Sequence, residues 1–148
     1  MTSYWDVLGP VGDGVSIYDG PERFLREFAV LSPKEAALLA AHWCQSEICN
    51  GGFGQFFGNS AGVLASEAVL AFVSIGMPET SVVVARAMAW FGAPYPRERA
   101  TRNKALATLG DRPSPADSPF DALNRDFYRL LDTENGGFES AANSFADA

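Results

Sequence analysis

Six helical stretches follow one another along this chain, five of them marked by apolar positions at helical spacing, separated by short polar, glycine-rich or proline-rich connections. The first is "GPERFLREF": Pro21 suits the first helical position, Glu22 complements the positive helix end, and Phe24 and Phe28 share a face. The second has a stronger start, with Ser32 as N-cap, Pro33 behind it and Glu35 completing a capping box. Ala36, Leu39, Trp43 and Glu47 lie near one stripe of it, with Ala40, Cys44 and Ile48 beside them. It is predicted to end near Cys49, because Asn50, Gly51 and Gly52 tolerate the left-handed conformation of a helix C-terminus. Leu64, Ala68, Ala71, Phe72 and Ile75 mark the third, closed by Gly76. The fourth starts at Pro78; Val82 to Val84 favour a strand, but the proline start, the alanines and Met88 predict a helix. A polar fifth ends at Gly110, and Phe120, Leu123, Phe127, Leu130 and Leu131 define the sixth. No segment sustains period-two alternation. The predicted fold class is therefore all-α: an irregular segment over 1–20, a helical domain of about six helices over 21–132, and a flexible tail over 133–148.

Between the second and third stretches runs "EICNGGFGQFFGNSAG", residues 47–62, with five glycines, three phenylalanines and two asparagines. A phosphate-binding loop of the Walker type needs a lysine followed by serine or threonine, and a dinucleotide fingerprint needs a preceding strand; neither is present. No lysine or arginine lies between Lys34 and Arg86, so a phosphate on this loop is expected to find no cation nearby. The residues instead predict a staple between two helices. Asn50 caps the helix end, Phe53, Phe56 and Phe57 plug the core, and Glu47, Gln55 and Asn59 hydrogen-bond the exposed backbone amides of the turn. A second "ENGGF" at 134–138 lacks the Gln-Phe-Phe continuation and carries no weight in this reading.

A chain of 148 residues, 47% hydrophobic and 20% charged, is of single-domain size and ordinary globular composition. The net charge is −7 and unevenly spread: residues 97–104 hold four bases and one acid, while residues 111–148 hold eight acids and three bases. Such a chain has little attraction for anionic nucleic acid and approaches a basic partner more readily. No apolar run reaches the ~20 residues of a membrane span, and the N-terminus lacks the basic and apolar regions of a secretory signal. Cys44 and Cys49 lie five apart and point to different faces of one helix, which predicts reduced thiols in a cytoplasmic protein. His42, the single histidine, is two residues from Cys44 and about two turns from Cys49, so neither pair forms a nucleophile–base couple. No cofactor, metal or catalytic motif is expected.

Glu47, Asn50, Gly51, Gly52, Phe53, Gln55, Phe56, Phe57, Asn59 and Gly62, with Ile75 and Gly76 closing the next helix, resemble the motif of a bacterial family of unknown-function domains that includes a DNA-mimic protein. The "FDALNRDFYRL" stretch is similar to the family's final segment, with Asn124 near a position where an acid is common. The resemblance implies an all-helical fold. It also implies a function: carboxylates presented like DNA phosphates to sequester a basic DNA-binding protein, or an acidic face that neutralises a toxin.

Three functions follow as expectations. The first is a non-enzymatic acidic module binding a basic protein, with Asp117, Asp121, Asp132 and Glu134 as its face; Asp121 and Asp132 are three helical turns apart. The second is a small-ligand site or enzyme in which Glu47, Gln55 and Asn59 line a pocket. The third is a homodimer through an apolar face around Val82 to Phe91.

Overall fold

Pro33–Gly58, the longest helix (α3), is the element on which the others pack. Leu38, Leu39, Ala40 and Ala41 are all buried, so its N-terminal half is covered on every side. The computed structural model describes residues 2–110 and 118–148. Within them, α1 (Tyr4–Leu8) and α2 (Pro21–Phe28) precede α3, and α4 (Ala65–Ser74), α5 (Pro78–Ala89), α6 (Arg99–Leu106), α7 (Asp121–Thr133) and α8 (Phe138–Asp147) follow it. Among the described residues there is no strand, and the all-α class holds. The valine run of α5 is helical because Val83 and Val84 bury against its neighbours, and packing overrides their strand preference.

The core is a connected set of aromatic rings. Phe53 meets Phe127 at 5.5 Å, Phe127 meets Phe72 at 6.0 Å and Phe72 meets Phe138 at 6.3 Å, all edge to face. Phe57 joins a second branch, 4.9 Å from Phe91 and 5.5 Å from Phe120.

The eight helices exceed the six expected, and the difference lies at the chain ends. Within 1–20, Ser3 and Asp6 form a capping box: Trp5 N–H donates to Ser3 Oγ (3.2 Å) and Ser3 N–H to Asp6 Oδ2 (2.9 Å). The helix so started buries Tyr4 and Leu8. Residues 133–148 are not a free tail. Phe138, Ala141, Ala142 and Ala146 form a buried stripe, mostly alanine, that a polar composition hides. The two ends fasten each other: Tyr4 N–H donates to Asn143 Oδ1 (2.9 Å) and Thr2 N–H to Asp147 Oδ1 (3.0 Å). Lys34 Nζ donates to the carbonyls of Ala146 and Ala148 at 3.1 and 2.6 Å, a cation at a helix C-terminus.

Candidate functional site

The helix does not stop at Cys49. It runs to Asn50, breaks at Gly51 and Gly52, and resumes over Phe53–Gly58. The break needs Gly52, which adopts φ 77°, ψ −177°. It also needs a neighbour. The Phe53 N–H, first in the resumed helix, donates to Asn124 Oδ1 of α7 (2.8 Å), and a Cβ on Gly52 would fall 2.9 Å from Asn124 Nδ2. Asn124 thus acts as an N-cap supplied from another helix. Phe53, Phe56 and Phe57 are fully buried behind the break, whereas Asn50 and Gly51 are exposed.

Glu47, Gln55 and Asn59 come together, but not on backbone amides as the sequence suggested. They bond one another: Glu47 Oε2 accepts from Gln55 Nε2 (3.2 Å) and Asn59 Nδ2 (3.0 Å). Gln55 reaches back across Gly51, whose missing side chain leaves it room. A part-buried carboxylate therefore braces the bend from both sides, consistent with the need to satisfy a buried charge with donors.

The expectation that the motif meets no cation fails in three dimensions. Residues 95–102 lay three arginines and a tyrosine on its C-terminal end. Arg102 is 0% exposed; its Nε donates to Phe57 O (2.7 Å), Nη2 to Asn59 O (3.0 Å), and Nη1 to Pro96 O (3.3 Å) and to Arg97 O. Arg99 Nε donates to Gly58 O (2.8 Å) and Tyr95 Oη to Gly62 O (2.7 Å). Arg97 forks onto Glu67 at 2.7 and 2.8 Å and also reaches Val63 O. The carbonyls of Phe57 and Gly58 are among those a helix leaves unpaired at its C-terminus, where cations are favoured, and that of Asn59 also accepts from the Gly62 N–H (3.2 Å). Among the described residues Arg102 has no carboxylate partner, and burial pulls its pKa below the ordinary arginine value. Gly62 is the residue that admits it: a Cβ there would stand 2.8 Å from Arg102 Nε and 2.8 Å from Phe56 O.

The predicted acidic face is not one surface. Asp121 pairs with Arg125 at 3.6 Å, and Asp126 with Arg129 at 3.8 Å, so α7 carries both signs. Asp117 lies outside the described residues. Glu134 turns to α5 and caps it, accepting from Glu79 N–H (2.7 Å), Thr80 N–H (2.8 Å) and Thr80 Oγ1 (2.7 Å). Beside it Asn135 Nδ2 donates to Ile75 O (3.1 Å), Gly137 takes φ 94°, ψ 162°, and Phe138 is buried. The second "NGGF" thus makes the same backbone move as the first, a left-handed glycine followed by a phenylalanine that opens a helix.

Asp132 remains. It lines a cleft of about 340 Å³ with Tyr4, Trp5, Cys49, Phe138 and Glu139, contributed by α1, α3, α7 and α8. No basic side chain lines that cleft, and neither carboxylate has an ion-pair partner among the described residues. Trp5 is 55% exposed, a large apolar surface left to solvent. Burial, and then the charge of Glu139, push the Tyr4 hydroxyl pKa up; burial, and then Asp132, do the same to the Cys49 thiol. Trp5 and Glu139 were missed in the sequence because the first sits in a segment read as irregular and the second in one read as a flexible tail.

The profile of the DMP19-like protein family matches residues 29–147. The chain belongs to the DMP19-like family. The DMP19-like match takes in the bend, the arginines and α7–α8, and leaves α1 and α2 outside it. No curated protein and no solved structure matches the chain.

Other chemistry in this DMP19-like chain is muted. Cys44 is buried, which pushes its thiol pKa well up. His42 Nδ1 lies 3.3 Å from Tyr4 Oη, and burial lowers its pKa. Among the described residues no three His, Cys, Asp or Glu side chains are grouped to hold a metal. In the apolar run from Val82 to Phe91, Val83, Val84 and Ala87 are buried and Trp90 and Phe91 pack on Phe120 and Phe57, while Val82 is exposed.

Proposed function

We propose that this chain is a non-enzymatic, acidic protein-binding module that docks a basic segment of a protein partner on the cleft between α1, α7 and α8. The partner is of the kind a DNA mimic sequesters, a basic DNA-binding protein, or a toxin with a similar cationic surface. The carrying observation is the cleft itself: two carboxylates, Asp132 and Glu139, without cations, beside the exposed ring of Trp5. A lysine or arginine entering there meets negative charge and an aromatic face together, the pairing that anchors cations at interfaces. Family membership and the net charge of −7 support the same reading. So do the thiols, whose raised pKa values keep them protonated and poorly nucleophilic at neutral pH.

The test is affinity capture from source-cell lysate with the wild type, a D132N/E139Q variant and a D121N variant, each washed at rising salt. A basic partner that elutes as salt rises, is lost from D132N/E139Q and is kept by D121N supports the cleft. Capture that ignores both salt and the double substitution overturns it.

A further inference from the structure

The chain's positive stretch builds a second cavity, of opposite character. We infer that the space between the starts of α2 and α6 and the Ser60–Leu64 turn binds a phosphate-type oxyanion. The cavity has a volume of about 240 Å³ and is lined by Tyr18, Gly20, Ser60, Arg97, Arg99 and Ala100, with Arg102 as its floor.

Four features make this space cationic. Arg102 lies beneath it with a full charge met only by carbonyl oxygens. Arg99 is exposed on its wall; its Nε is held by Gly58 O and its Nη1 is 3.5 Å from Ser60 Oγ, leaving Nη2 unengaged among the described residues. The first turn of α6 lines this space through Glu98, Arg99 and Ala100: Glu98 is the N-cap but its side chain caps nothing, and the N–H groups of Arg99, Ala100 and Thr101 have no acceptor among the described residues. The start of α2 adds its positive helix end, uncapped by Gly20, but Pro21 at its first position has no N–H to donate. Arg97 is neutralised by Glu67, so among the described residues Glu98 is the single unpaired acid on the wall, against Arg99 and the buried Arg102.

The donors belong to separate groups around one cavity: guanidinium N–H of Arg99, backbone N–H of α6 and the hydroxyl of Ser60. That suits an anion with three or more acceptor oxygens better than the planar pair of a carboxylate. Tyr18, 74% exposed at the rim, offers a ring face to whatever the oxyanion is attached to. The oxyanion therefore comes either as free phosphate or as the phosphate of a small organic ligand, and the two sources are separable.

The experiment is calorimetric titration of the full chain with inorganic phosphate and with adenosine 5′-monophosphate at constant ionic strength, repeated on A100E, R99Q and Y18A. Ala100 is exposed in the first turn of α6, where a glutamate favours the helix, so A100E keeps the fold while placing a carboxylate on the proposed anion. Thermal melting of each variant confirms folding. Binding weakened about tenfold or more by A100E and by R99Q is expected. Tighter binding of the nucleotide than of phosphate, lost in Y18A, identifies the organic source; equal binding identifies free phosphate. No binding of either probe, or binding unchanged in A100E, overturns the site.

Discussion

Arg102 and Gly62 touch so closely that residue 62 has no room for a side chain: a Cβ would lie 2.8 Å from Arg102 Nε and 3.0 Å from its Cζ. The same Cβ would also strike Phe56 O at 2.8 Å. The last glycine of the motif is thus set by a guanidinium from a different helix, which itself closes the end of the motif's helix.

Gly62→Ala is therefore expected to destabilise the chain by about 2–4 kcal/mol, since both the carbonyl and the buried guanidinium are fixed by their surroundings. Urea unfolding measures this, with the midpoint falling and the slope unchanged. A cost below about 0.5 kcal/mol would show that the Arg102 cradle relaxes freely.

Six helices were legible because their signals are local: Ser32 with Glu35, Pro21, Pro78 and the apolar stripe of α7 each lie within a turn or two of what they specify. What was hidden depends on partners distant in sequence. Asn124 caps a helix start that is 71 residues away, Glu134 caps one 54 away, and Arg102 closes a helix end 45 away. The motif's polar residues were readable as a cluster, but their hydrogen bonds to each other, rather than to the backbone, follow only from the bend at Gly52. The cleft of Asp132 was half legible: Asp132 was named, while its neighbours Trp5 and Glu139 belong to end helices that stabilise each other and show no strong pattern alone.

Asn124 gives a test of capping across helices. Asn124→Ala removes the acceptor of the Phe53 N–H and is expected to cost about 1–2 kcal/mol, the range for a lost N-cap. Asn124→Asp keeps an acceptor and adds a charge that helix starts favour, so it should retain most of the stability. Thermal melts of both variants decide this; an aspartate variant as unstable as the alanine one would mean that packing, not the hydrogen bond, is what Asn124 supplies.

The pH dependence on the acid side should carry the signature of His42. Burial lowers its pKa below the ordinary value of about 6.5, so the folded chain holds the ring neutral and the unfolded chain binds the proton first. Its contribution is complete above about pH 6.5 and is lost as pH falls below that value. Glu27 shifts the same way, through the Ser16 N–H bond first, but acts in the lower carboxylate range. His42→Gln should flatten the stability curve between about pH 7 and 5. The change in slope stays well under the one-proton maximum of about 1.4 kcal/mol per pH unit, because the ring is partly open to solvent. Denaturant midpoints of both proteins across that range give the comparison; parallel curves would assign the acid-side loss to other groups.

Glu134 and Asp132 are two residues apart, both acidic, and were grouped together on sequence alone, yet their surroundings assign them opposite work. Glu134 has three donors on its carboxylate and holds the start of α5, whereas Asp132 has no ion-pair partner among the described residues and faces the cleft. Glu134→Ala should therefore lower stability by about 1–2 kcal/mol through the lost cap and leave capture of a basic partner intact when assayed well below the melting point. Asp132→Asn should do the reverse: stability within about 0.5 kcal/mol of wild type, and partner release at lower salt. Paired melting and salt-elution measurements on the two variants separate the roles. If both variants lose the partner equally while both remain folded, the acids act as one surface and the division drawn from their hydrogen bonds does not hold.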